Sequence, residues 1–168
     1  SLGALTLNDS MEMGVQKLSE DGIQAIWQTG SYYYKGLAEK WEGKLPSGIL
    51  MKEFLKEMHY AYGAADVIIS RAGALSISEL CLVGKAVILV PSPNVAEDHQ
   101  TKNAQALVQR DAAIMIRDSD ARRELIDAGI ELLKQPEKSA RLGASIKELG
   151  RPDATSAIVE QILNILKK

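Results

Sequence analysis

The residues best suited to chemistry lie in one run, Ser70-Arg71-Ala72-Gly73-Ala74-Leu75-Ser76-Ile77-Ser78-Glu79. A short apolar stretch leads into it and a helical pattern leads out. Gly73 and Ala74 allow a backbone to come close to a ligand, because larger side chains would block approach. The N–H groups and positive dipole of a helix start favour an anion such as a diphosphate. Ser76 adds a hydroxyl donor there. Glu79 lies one turn further on, where a carboxylate can accept from two neighbouring ribose hydroxyls. The same residues also suit an ordinary strand-to-helix turn, with Ser76 and Glu79 as cap and first-turn acid.

A second polar run leaves another apolar stretch: Val90-Pro91-Ser92-Pro93-Asn94, then Glu97-Asp98-His99-Gln100-Thr101-Lys102-Asn103-Ala104. Gln100 and Asn103 stand one helical turn apart, so their amides can meet hydroxyls of one sugar. It reads equally well as a polar loop before a capped helix. His99 has no accompanying Ser or Cys nucleophile pattern, and with His59 the only other histidine a histidine metal site is not expected. The small-residue turn Ser1-Leu2-Gly3-Ala4 is a third possible anion cradle. Gly30 and Ser31 can border the same cleft. The backbone of Phe54-Leu55-Lys56-Glu57-Met58 can read a base edge, although Phe54 and Met58 have core as their default. Tyr32-Tyr33-Tyr34 reads as packing on a covering helix.

Short β-like runs alternating with helical segments must position these residues, the pattern of a parallel α/β sheet. Strands are expected over Ile23–Gln28, Ile49–Phe54, Val67–Ser70, Ala86–Val90 and Ala113–Ile116, apolar without strict alternation as if covered on both faces. Helices are expected through Leu7–Leu18, Tyr32–Trp41, Met58–Ala64, Ala74–Val83 and Asp98–Arg110. Gly84 suits the C-cap of the fourth. Beyond the last strand the pattern is helical only: one helix capped by Asp118 or Ser119 and running to Lys134, one from Pro136 to near Gly150, and one after Asp153. One Rossmann-like domain over residues 1–168 is the result. In such a fold the turn at Ser1–Ala4 should follow a central strand. None precedes it here, so the sheet is expected to lack that strand, its neighbours re-pairing or recruiting another chain.

The 168 residues suffice for a self-supporting core, and 46% hydrophobic against 25% charged argues against disorder. With 20 basic and 22 acidic residues, no overall charge points to nucleic acid. The longest apolar run is far too short for a membrane span, and no basic-then-apolar segment opens the chain. The lone Cys81 forms no internal disulfide and no thiolate metal site. A cytoplasmic location is expected.

Taken together, Ser1–Ala4 with Leu7-Asn8, Ile26-Trp27-Gln28-Thr29-Gly30, Arg71–Glu79, Val90-Pro91 and Asp98–Ala104 resemble the MurG family of GT-B glycosyltransferases. That family moves N-acetylglucosamine from its UDP donor to undecaprenyl-linked muramyl-pentapeptide (lipid I), making lipid II. The likeness runs in order along nearly the whole chain and covers the family's C-terminal, donor-binding domain only. It implies Ser1 near the donor phosphates, the Leu55 backbone pairing with uracil between Phe54 and Met58, and Ala74, Leu75 and Ser76 at the diphosphate. Gly73, Ile77 and Ser78 belong to the same run. Glu79 matches the ribose-binding acid and Gln100 the sugar-contacting glutamine, with Gly3, Arg71, His99 and Asn103 beside them. His99 stands where the family varies between histidine and glutamine, so base catalysis is not assigned to it.

The resemblance places the acceptor site, the membrane-facing surface and the general base in an N-terminal domain outside these residues, together with an upstream arginine for the diphosphate. No catalytic residue is therefore assigned within 1–168. The implied enzyme inverts at the sugar carbon, needs no metal or cofactor beyond its UDP-N-acetylglucosamine substrate, and sits peripherally on the cytoplasmic face of the inner membrane. Two further readings stay open: a separate donor-binding subunit of a two-chain N-acetylglucosaminyltransferase, and a nucleotide-binding module with no transferase role.

Overall fold

A computed structural model describes residues 3–94 and 98–166. Five strands alternate with helices as the pattern requires: β1 (Ala25–Gln28), β2 (Ile49–Lys52), β3 (Val67–Ser70), β4 (Ala86–Leu89) and β5 (Ile114–Met115). The helices are α1 (Leu5–Glu20), α2 (Ser31–Trp41), α3 (Met58–Ala64), α4 (Ala74–Val83), α5 (His99–Val108), α6 (Asp118–Leu133), α7 (Pro136–Glu148) and α8 (Ala154–Leu166). The two that flank β3 and the last three agree with the sequence reading to within a residue or two. Gly84 ends α4 in the left-handed region, φ 68°, with its N–H donating to the Leu80 carbonyl. Pro136 opens α7 at its first position, where no backbone N–H is needed. The expected cap of α6 is different. Asp118 is its first helical residue and Arg117 precedes it without any side-chain cap. The Asp118 carboxylate is engaged elsewhere, as described below.

All strand pairs are parallel, yet they form two sheets, β1-β2 and β3-β4-β5. Ala25 to Gln28 pair in register with Ile49 to Lys52, and Val67 to Ser70 with Ala86 to Leu89. Among the described residues, no strand of one sheet pairs with a strand of the other. Cover differs between the halves as well. Every residue of β4 is buried. Ile26 and Leu50, partners across β1 and β2, remain 44% and 47% exposed, so the expectation of strands covered on both faces fails there.

What joins the halves is α1 lying against α6. Gly14 makes the approach possible: a Cβ there would sit 2.5 Å from Ile126 Cγ1. Val15 and Leu18 then share a core with Trp27, Ile49 and Ile130, while Leu7 reaches the cluster of Ile88, Val90 and Leu125. Three ion pairs along the seam, Lys17–Asp127, Arg122–Asp9 and Lys134–Asp21, are partly exposed and contribute little beside that burial.

Helix α8 stands apart. Every residue from 151 to 166 is exposed, including Ile158, Ile162, Ile165 and Leu166. Deleting residues 152–168 is expected to move the thermal midpoint by no more than about 2 °C. A drop beyond about 5 °C in a melting scan would show that the helix packs on the domain in solution.

Candidate functional site

The polar turns singled out in the sequence gather at the carboxyl ends of the parallel strands, where open α/β sheets bind ligands. β3 delivers Arg71, Ala72 and Gly73, and α4 begins at Ala74 with Gly73 as N-cap. No side chain caps this helix and no acidic residue occupies its first turn, so the plain capping role for Ser76 and Glu79 is not what they do. Gly73 has φ −68°, open to any residue, and a Cβ there would meet only Ser76 Oγ, at 3.8 Å. The protein itself does not require glycine at this position. The space it leaves lies by the uncapped start of α4 and beside the Ser76 hydroxyl.

Two amides of α5 hold this turn. Gln100 Oε1 accepts from the N–H of Ala72 at 3.2 Å and of Ser92 at 2.9 Å, tying the β3 and β4 loops together. Asn103 Nδ2 donates to the Ala72 carbonyl at 3.1 Å. Both backbone groups of Ala72 are thus gripped from one helix. One half of each amide is occupied in shaping the loop. Gln100 Nε2 and Asn103 Oδ1 lie outside these bonds, one donor and one acceptor. Replacing Gln100 by glutamate keeps an oxygen for the two N–H groups and removes the donor. It is expected to keep the tie between the β3 and β4 loops, whereas Gln100→Ala breaks it and costs about 1 kcal/mol in urea melts.

Arg71 is engaged with groups of the protein itself. Its Nη1 donates to the carbonyls of Val90 at 3.1 Å and Pro91 at 3.2 Å and pairs with Asp118. Asp118 Oδ2 in turn accepts from Thr6 Oγ1 at 2.9 Å. Arg71, which the resemblance sets beside the donor-binding residues, clamps the ends of β3 and β4 to the first turns of α6 and α1, its Nη1 sharing two hydrogens among three acceptors.

The turn before α1 is fixed against β1. Gly3 has φ +93°, and a Cβ there would fall 2.3 Å from the Thr29 carbonyl. Asn8 Nδ2 donates to that same carbonyl at 2.9 Å, and Trp27 Nε1 donates to Asn8 Oδ1 at 2.9 Å. The expected contribution of Ser1 lies outside the described residues.

On the β2 side, Leu55 N–H donates to Gln28 Oε1 at 2.9 Å. That half of the Leu55 peptide is engaged, which narrows its expected base-pairing role. Phe54, taken as core by default, is 56% exposed. Met58 opens α3 half-buried. Leu75 is 83% exposed at the start of α4, while Ile77 is half-buried against the core and Ser78 Oγ donates back to the Ala74 carbonyl. Ile77 thus packs on the core, and Ser78 bonds back within its own helix. His99 is exposed at the first position of α5.

Tyr62, which sequence reading did not single out, donates from its hydroxyl to Glu79 Oε2 at 3.1 Å. Burial first, then the Glu79 bond and charge, push its phenol up to about 12. A raised phenol contributes stability that is whole below the unfolded value near 10 and is lost as pH climbs through the folded one. The stability gap between this chain and Tyr62→Phe is expected to be flat up to pH 10 and to shrink from 10 to 12 in urea melts.

Elsewhere the described residues offer little chemistry. They contain no group of three His, Cys, Asp or Glu placed to hold a metal ion. Cys81 is buried among apolar neighbours, which pushes its thiol up and makes it unreactive. A hollow of about 300 Å³ does exist, lined by Asp66, Lys85 and Gly143, but it lies at the amino ends of β3 and β4, away from the polar turns at their carboxyl ends.

Parallel strands with uncapped helix starts and polar turns at their carboxyl edge define a Rossmann-like ligand-binding domain. The chain belongs to the glycosyltransferase family 28 C-terminal domain family, whose pattern matches residues 1–158. It is 46% identical over its whole length to the UDP-N-acetylglucosamine–N-acetylmuramyl-(pentapeptide) pyrophosphoryl-undecaprenol N-acetylglucosamine transferase of Parabacteroides distasonis, covering 46% of that protein. The same enzyme of Cytophaga hutchinsonii is 49% identical over 99% of this chain and is covered to 44%. The chain thus spans about half the length of these relatives. Among solved structures, Acinetobacter baumannii MurG superposes with a TM-score of 0.80 at 27% identity, over 98% of this chain and 47% of that one. A kitacinnamycin glycotransferase shares the fold, with a TM-score of 0.64 at 19% identity over 96% of this chain and 40% of its own. Both alignments confirm the α/β class expected from the sequence.

Proposed function

We propose that this chain binds the UDP-N-acetylglucosamine donor of an inverting transferase that converts lipid I to lipid II. The observation that carries the reading is the uncapped start of α4 at the carboxyl end of β3, with Glu79 on the following turn. N–H groups at that start receive the diphosphate, and their dipole favours the charge that grows on UDP as the sugar–phosphate bond breaks. Glu79 takes the ribose hydroxyls. Gln100 Nε2 and Asn103 Oδ1 face the sugar, and the Leu55 carbonyl remains for the imide N–H of uracil. The acceptor hydroxyl attacks the anomeric carbon from the face opposite UDP, and the lipid acceptor and its general base belong to another domain that docks at a cytoplasmic membrane surface. The donor requires no metal or cofactor in this reading. Within the chain, no described helix is long and apolar enough to cross a membrane.

Calorimetric titration tests this. UDP-N-acetylglucosamine is expected to bind, and Glu79→Ala to weaken binding by about 1–3 kcal/mol. Equal affinity in a folded Glu79→Ala variant would remove the ribose role.

A further inference from the structure

Glu79 is exposed on α4, and a free carboxylate there would sample several rotamers before meeting a ligand. The Tyr62 hydroxyl restrains it. Tyr62 projects from α3, the helix that follows the Phe54–Met58 loop, and its ring packs against the core cluster of Leu80, Cys81 and Val87. The phenol is therefore anchored by packing while its oxygen reaches 3.1 Å to Glu79 Oε2. The bond spans two elements with different proposed tasks, the base-reading side and the diphosphate side. It engages one carboxylate oxygen, Oε2, and leaves Oε1 outside the bond.

We infer that Tyr62 is a positioning residue that presets the Glu79 carboxylate for a ribose diol, so that base-side and phosphate-side elements hold the nucleoside in one geometry. The inference rests on the donor reading above and adds to it a residue that never touches the ligand. A neutral phenol suits the task. It donates to a carboxylate without neutralising it, whereas a lysine in the same place would compete with the ribose for both oxygens. Phenylalanine would keep the ring packing and lose only the donor.

The test is a titration of the 168-residue chain and its Tyr62→Phe variant with UDP and with 2′,3′-dideoxyuridine 5′-diphosphate, which lacks the diol. Tyr62→Phe is expected to weaken UDP binding about 3- to 10-fold, to leave the dideoxy nucleotide unchanged, and to add nothing in a Glu79→Ala background. Equal weakening of both nucleotides would show that the hydroxyl merely supports the fold, and unchanged UDP affinity would show that Glu79 needs no restraint. Either result overturns the inference alone. Failure of the unaltered chain to bind UDP overturns the donor reading, and this inference with it.

Discussion

Gly3→Ala is expected to destabilise the chain by about 2–4 kcal/mol, as two separate penalties coincide at one atom. The first is backbone conformation, since φ is +93° and an L side chain rarely adopts it. The second is space: the new Cβ would stand 2.3 Å from the Thr29 carbonyl and 2.8 Å from Tyr33 Cδ2. Backbone cannot yield as a flexible side chain can, and the Thr29 carbonyl is already held by Asn8. Gly43→Ala supplies the control. That glycine also has positive φ, +66°, but a Cβ there would meet nothing within 4 Å. It should lose only about 1 kcal/mol. Urea denaturation of both variants separates the penalties, and equal midpoints would show that the turn before α1 can move away from β1.

Asp118→Ala carries the second large effect, a loss of about 3 kcal/mol. The Arg71 and Asp118 side chains are 21% and 18% exposed, so removing the carboxylate leaves a mostly desolvated guanidinium without its counter-charge. Thr6, itself buried, loses its hydroxyl acceptor at the same time. Removing both charges should be far milder, because the desolvation of Arg71 disappears with the attraction. In a double-mutant cycle, Arg71→Met with Asp118→Leu is expected to recover at least half of the single-mutant loss. A single-variant loss under about 0.5 kcal/mol would mean that the pair is solvated and adds little to the joint between α1, α6 and the β3 edge.

Those two sites mark where legibility in the sequence ended. Local features read well. Val67-Ile68-Ile69 is a strand by its branched apolar residues, Gly84 stops a helix because only glycine adopts φ 68° without strain, and Pro136 starts one because it has no N–H to satisfy. The carboxyl-edge placement of Gly73–Glu79 and Gln100–Asn103 followed from the same strand-to-helix order. What escaped was contact between distant positions. Thr6 meets Asp118, Gln28 meets Leu55 and Tyr62 meets Glu79 across separations of 112, 27 and 17 residues, and no period in the chain encodes such meetings. Arg71 shows the same, since nothing near it in the chain points to the carboxylate that α6 brings to it. Phe54 departs from its core default and stays exposed, because aromatic character predicts burial only when a partner face exists.

Amide chemical-shift mapping with UDP-N-acetylglucosamine tests the central claim most directly. Donor binding at the carboxyl edge predicts that shifts concentrate at Leu55–Met58, Ala72–Glu79, Ser92 and His99–Asn103. Shifts confined to the hollow around Asp66, Lys85 and Gly143 at the opposite end of the strands, or no shifts at saturating donor, would contradict it.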